Sequence, residues 1–151
     1  MRRLLLCSLG VLLFLAAIPV HGQFQRNGTA VNTSCDCYRL TLSAGGQNGS
    51  IWNQQRIDLG NSFDYNFRVN FGCSDAGADG VVFALQTNPL ATGVSGGGIG
   101  YQTISPSVAV EFDTYQNGWD PTYDHIAIVS NGDVDHTTGN NLAGPVAALA
   151  S

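Results

Sequence analysis

The sequence predicts an all-β domain of the sandwich or jelly-roll class, and three observations carry that prediction. Phe63, Tyr65, Phe67, Val69 and Phe71 alternate with Asp64, Asn66, Arg68 and Asn70, the period of a strand with one buried face. Shorter runs at 81–85, 108–112 and 126–129 are apolar on both faces, as strands buried between layers are. Turn signals separate these runs: Gly45-Gly46, Asn48-Gly49, Gly60-Asn61, Gly77, Gly96-Gly97-Gly98 and Asn131-Gly132. Beyond the N-terminal segment no stretch shows helical periodicity with caps, and short strands joined by turns pack as two-layer β folds.

Taken in order, the chain opens with Arg2 and Arg3, an apolar run from Leu4 to Val20 and the small-residue end Val20-His21-Gly22. This is the composition of a secretion signal over 1–22. The polar segment that follows argues against an uncleaved anchor, and Cys7, deep in the apolar run, is a poor lipidation site. Removal of the signal leaves four arginines, no lysine and all eleven acids. An acidic exported chain argues against nucleic acid and anionic membrane as partners. Residues 23–36 form a lead-in, and 37–151 the domain proper, in which Tyr38, Leu40 and Leu42 alternate weakly. Three cysteines survive processing. Cys37 and Cys73 are expected to form a disulfide, because Cys35 and Cys37 are too close to bridge without strain. A C-x-C…C zinc site without a neighbouring histidine is the weaker alternative. Asn27, Asn32 and Asn48 each begin a glycosylation sequon.

The stretch VAVEFDTYQNGWDPTYDHIAIVSN, 108–131, carries the chemistry. Strand alternation places Glu111, Asp113 and Tyr115 on one face. Paired carboxylates on an apolar strand need a positive partner, yet no Lys or Arg occurs after Arg68. Asn117, Asp120 and His125 follow on the adjoining loop. Oxygen donors suit calcium, and an imidazole joined to carboxylates suits a manganese-like ion, so a pair of bound cations is expected.

EFDTYQNGWDP followed by DHIAI closely resembles the metal-binding segment of the legume-type (L-type) lectins. GADGVVFALQ at 77–86 and SGGGIGY at 95–101 resemble that family's first two sugar-binding loops. The resemblance runs from about Cys37 to Pro145. It implies a concanavalin-like jelly-roll β-sandwich that binds glycans and depends on Ca2+ and Mn2+. By the family pattern Glu111, Asp113, Asp120 and His125 would hold the manganese-like ion. Asp113, the Tyr115 carbonyl, Asn117 and Asp120 would hold calcium. Asp79 would accept hydrogen bonds from two sugar hydroxyls, its preceding peptide being cis, and the Gly97 N–H would donate to the sugar. Asn117 would serve sugar and calcium together, and Tyr115 would offer its ring to the pyranose. Trp119 would rim the pocket or pack the loop. The resemblance ends before the family's closing strands and fourth sugar loop, so open sheet edges and an uncovered apolar face are expected. It leaves a homo-oligomer open.

Two other functions compete. Jelly-roll β-glucan hydrolases carry E-x-D-x-x-E, but the last position here is Gln116, which cannot move a catalytic proton. A calcium-stabilised adhesion module without a sugar pocket would not need Asp79 or Gly97. An EF-hand reading from Asp113 fails, because Tyr115 takes a ligand place and both flanks are strands.

Overall fold

The computed structural model describes residues 24–74, 76–88 and 92–148. The secretion-signal segment lies outside them. Among the described residues there are eight strands, one short 3-10 turn and no α-helix: β1 (Phe24–Gly28), β2 (Val31–Ser34), β3 (Cys37–Arg39), β4 (Gly49–Asn53), β5 (Gly80–Gln86), the turn Gly96–Gly98, β6 (Ser107–Asp113), β7 (His125–Ser130) and β8 (Asn141–Ala147). All pairings are antiparallel. The main sheet runs β5-β6-β7-β8, and β1-β4 and β2-β3 form two small sheets.

Register in the main sheet sorts its side chains into two faces. Ala109 stands opposite Ala84 on β5 and Val129 on β7, and Glu111 opposite Val82 and Ala127. These positions share one face, where Ala109, Ala127 and Val129 are buried with Tyr101, Ile104 and Val134. Trp52, Val82, Ala84 and Ile99 pack against that cluster. The Tyr101 hydroxyl avoids an unpaired burial by lying 2.7 Å from Ser107 Oγ. Segment 92–104 lies against the same face, closed by Gly93 N–H to the Gly100 carbonyl (2.9 Å) and Val94 N–H to the Gln102 carbonyl (3.0 Å). The Asn48 side chain joins it by donating to the Gly93 carbonyl (3.1 Å).

Three expectations are corrected. Residues 63–71 form no strand, and Phe63, Tyr65, Phe67, Val69 and Phe71 are all exposed. A period of two specifies an extended chain with one apolar face, but a strand also needs a neighbour to receive its backbone hydrogen bonds. Among the described residues this segment has none, and its contact with the sheet includes a Phe67–Phe83 ring stack at 5.1 Å. The runs at 108–112 and 126–129 are buried on one face only, with Val108 and Ile128 exposed on the other. Cys37 and Cys73 are not joined: Cys35, Cys37 and Cys73 are exposed free thiols. Cys37 opens the β3 hairpin strand, and Cys73 follows the unpaired 63–71 segment, so no shared sheet holds them together. Strands β1, β2, β4 and β8 were not legible as strands. Each is short or polar, or, like β8 with Gly144-Pro145, carries residues that weaken strand signals.

Candidate metal and ligand site

The buried face of the main sheet is apolar at one end and charged at the other. On β6 the alternation that buries Ser107 and Ala109 also buries Glu111 and Asp113. Asp113 pairs with His125 across to β7 and with Gly80 across to β5. Glu111, Asp113 and His125 are only 1–3% exposed. The loop from Thr114 to Asp124 brings in the remaining groups through its own turn. Asn117 N–H donates to Asp120 Oδ2 (2.7 Å), and Tyr115 N–H donates to Asp113 Oδ1 (2.8 Å). Asp120 Oδ1 then lies 4.0 Å from His125 Nε2, with Glu111 Oε1 at 3.6 Å from the same nitrogen. His125 Nδ1 faces the Tyr123 carbonyl at 3.4 Å, which directs Nε2 into the cluster.

A further residue joins the cluster that the sequence did not single out. His136, in the β7–β8 connection, places Nε2 2.8 Å from His125 Nε2, 3.1 Å from Glu111 Oε1 and 3.5 Å from Asp120 Oδ1. The available signal was weak: a histidine eleven residues past His125, in the acidic turn Asp133-Val134-Asp135-His136. Nothing in strand periodicity says that this turn folds back over the end of β6.

The electrostatics are those of a cation site. Burial pushes the Glu111 carboxyl up to about 8, and the charges of Asp113 and Asp120 push the same way. Burial pushes Asp113 up to about 6; the Tyr115 N–H and His125 oppose this, while Asp120 and Asp79 add to it. Burial, then His125, holds His136 below the usual imidazole range. Both oxygens of Glu111, Asp120 Oδ1, Asn117 Nδ2 and His136 Nδ1 are buried without a hydrogen-bond partner. Buried polar atoms are rarely left so, and one coordinating ion would satisfy several of them at once. Two overlapping groups have the donor types and spacing to hold one: Glu111, His125 and His136, and Asp113, Asp120 and His125, with donor atoms within 4.8 Å of one another. The chain's own residues therefore fit divalent metal.

Beside this cluster lie the four residues expected to meet a sugar. Asp79 precedes β5 through a cis Ala78–Asp79 peptide, and its carbonyl accepts from Thr114 N–H (2.9 Å) and Thr114 Oγ1 (3.3 Å). This pins the entry of β5 to the exit of β6 and leaves the Asp79 carboxylate free of that anchoring. Gly80 must be glycine, because a Cβ there would collide with the Phe112 carbonyl on the paired strand. Burial raises the Asp79 carboxyl above the usual range. Gly97 packs on Asn117 so closely that a Cβ would lie 2.6 Å from Asn117 Oδ1. The Tyr115 ring is exposed, and Trp119 is 38% exposed at the rim of the same loop. Gly97, Asn117, Tyr115 and Asp79 thus border one end of the sheet, next to the charged cluster.

Comparison with known proteins gives a family. The legume lectin beta-barrel domain profile matches residues 16–150. Over 64 residues the chain is 45% identical to the basic agglutinin of Psophocarpus tetragonolobus, covering 40% of this chain and 26% of the agglutinin. It is 37% identical over 90 residues to a lectin of Onobrychis viciifolia, covering 54% of this chain and 36% of that lectin. It is also 32% identical over 110 residues to a serine-rich adhesin for platelets of Staphylococcus aureus (strain MRSA252), covering 70% of this chain and 8% of the adhesin. The chain therefore spans about a third or less of the length of these relatives.

Proposed function

The chain belongs to the legume lectin β-barrel domain family, and from that premise we propose that it is a secreted domain that binds glycans through a pocket organised by two divalent cations. The observation that carries this reading is the buried, unneutralised carboxylate cluster of Glu111, Asp113 and Asp120, set directly against the Gly97–Asn117 contact. Asp113, the Tyr115 carbonyl, Asn117 and Asp120 supply oxygens of the kind calcium takes. Glu111, Asp113, Asp120 and His125 supply the mixed set suited to a manganese-like ion. Glu111, Asp113, Asp120, Asn117 and His125 would hold the ions, whose charge would offset the carboxylates and fix the loop that carries Asn117. The chain's own groups then meet the sugar: the Asp79 carboxylate and Asn117 amide bind hydroxyls, the Gly97 N–H donates, and the Tyr115 ring covers an apolar sugar face. A glycan array probed with and without chelator tests this. Chelator-insensitive binding, or no binding to any glycan by the metal-loaded domain, would overturn it.

Gly97→Ala isolates the geometry. The new methyl would displace the Asn117 side chain, which lies 2.6 Å from its position. Sugar binding should fall below detection, because both the donor at position 97 and the amide at 117 move. Calcium affinity should weaken in the same titration, because Asn117 belongs to both sets. Undiminished glycan binding by Gly97→Ala would place the pocket elsewhere.

The same strand is not expected to hydrolyse glycans. Gln116 stands where a second catalytic carboxylate would be needed, and the buried Glu111 faces the imidazoles of His125 and His136. Incubation with laminarin- and lichenan-type β-glucans should release no reducing sugar at any pH. Turnover that is lost in Glu111→Gln would reverse the assignment.

A further inference from the structure

We propose that His136 is a direct ligand of the transition-metal half of this centre, making it a two-imidazole, two-carboxylate site that selects a zinc-class ion over manganese. The inference rests on the metal-organised site proposed above and changes which metal that site takes.

Four donor atoms converge without a full set of hydrogen bonds among them. His125 Nε2 and His136 Nε2 are 2.8 Å apart. Glu111 Oε1 lies 3.6 Å and 3.1 Å from these two nitrogens, and Asp120 Oδ1 4.0 Å and 3.5 Å. Donors held about 2.0–2.1 Å from one zinc ion stand about 3.4 Å from each other in a tetrahedral shell. The observed separations bracket that value. A hydrogen bond between the two histidines would satisfy one pair of nitrogens and leave the Glu111 and Asp120 oxygens unpaired, as they are here. An ion held by Glu111, His125 and His136, whose donor atoms lie within 4.8 Å of one another, would satisfy those three, with Asp120 Oδ1 3.5 Å from His136 Nε2 as the fourth donor the proposal adds.

The β7–β8 connection is built to hold His136 in place. Asp133 Oδ1 accepts from Asp135 N–H (3.0 Å). Asp133 Oδ2 accepts from Thr138 Oγ1 (2.8 Å) and Asn140 Nδ2 (3.0 Å). Asp135 Oδ1 accepts from Thr137 N–H (2.9 Å) and Thr137 Oγ1 (2.7 Å). Asn141 Nδ2 then donates to the His136 carbonyl (3.0 Å). The turn is fixed on both sides of His136 before any metal arrives, so the imidazole is presented rather than recruited. Selectivity follows from the donors. Carboxylates with one imidazole leave manganese competitive, whereas a second imidazole favours zinc, cobalt and nickel.

The test compares the full chain with His136→Ala and His136→Gln, each freed of metal and then titrated with Ca2+, Mn2+, Zn2+ and Co2+. Calorimetry reads affinity, and the visible ligand-field bands of bound Co2+ read the donor set. Either substitution should lower Zn2+ and Co2+ affinity roughly 100-fold, shift the Co2+ bands, and change Ca2+ affinity much less. Unchanged Zn2+ affinity with superposable Co2+ spectra would overturn the role of His136. If the unsubstituted chain binds Ca2+ but no transition ion, this inference fails and the glycan-binding reading keeps its calcium-held pocket without the second cation; if it binds none of the four ions, both fail. Should both variants lose their fold, 15N NMR of the unsubstituted chain decides. Zinc should shift the ring nitrogens of both His125 and His136, and a shift at His125 alone would refute the proposal.

Discussion

Chelation is expected to lower the melting temperature and abolish glycan binding together, and the penalty is expected to grow as pH rises. Without metal, Glu111 is held at about 8 and Asp113 at about 6, both above their usual values of 4.5 and 3.8. A carboxyl raised by folding leaves the fold unpenalised below its unfolded value and destabilises it progressively as pH rises through the folded one. The metal-free domain should therefore lose stability between roughly pH 4 and pH 8. Each pKa unit corresponds to about 1.4 kcal/mol, so the two groups together cost on the order of several kcal/mol at the top of that window. That is a large part of the roughly 5–15 kcal/mol that holds a domain folded. The metal-loaded domain should behave in the opposite sense, because protons would compete with the ions for the carboxylates as pH falls. The gap in melting temperature between loaded and chelated protein should widen from pH 5 to pH 8, reaching on the order of 10 °C. Differential scanning calorimetry at several pH values in calcium and manganese against a chelator reads this directly. Equal melting temperatures at pH 8 would sink the metal assignment.

Asp79→Ala and Asn117→Ala should separate sugar recognition from metal binding. The carbonyl of Asp79, not its carboxylate, is what Thr114 holds, so the alanine variant keeps the anchor between β5 and β6. It should lose only the acceptor proposed for two sugar hydroxyls. A hydrogen bond to a charged group contributes about 1.5–3 kcal/mol, and losing two from a shallow pocket should put binding below detection. Metal affinity should stay near that of the unsubstituted domain, with Asp113 eased slightly because a neighbouring negative charge is gone. Asn117→Ala keeps the backbone donor to Asp120 Oδ2 but loses the amide packed under Gly97. Both sugar and calcium should then weaken. Glycan titration beside a competition assay for calcium distinguishes the two. Near-native glycan affinity in Asp79→Ala would mean that the sugar site is not where the family resemblance puts it.

The sequence by itself determined the all-β class, the strands that form the centre of the main sheet and the charged end of their buried face. Alternation at 108–113 is enough to put Glu111 with Asp113, and the absence of any later Lys or Arg is enough to exclude a salt bridge to either within that segment. Both are local properties, so no knowledge of distant contacts was needed. The same alternation misled at 63–71, because periodicity describes one strand's faces and says nothing about whether a neighbour exists to complete its ladder. The unpaired cysteines fall under the same limit: a disulfide needs two Cβ atoms within about 4 Å, which depends on strand pairing rather than on spacing in the chain. Only the tertiary structure brought Gly97 onto Asn117 and His136 onto Glu111 and His125. The first contact joins two loops, one of them closed by backbone hydrogen bonds, and the second joins a loop to strand ends through a turn whose direction is set by the side-chain hydrogen bonds of Asp133 and Asp135. Such bonds leave no period in the sequence, and they decide which side chains reach the buried carboxylate cluster.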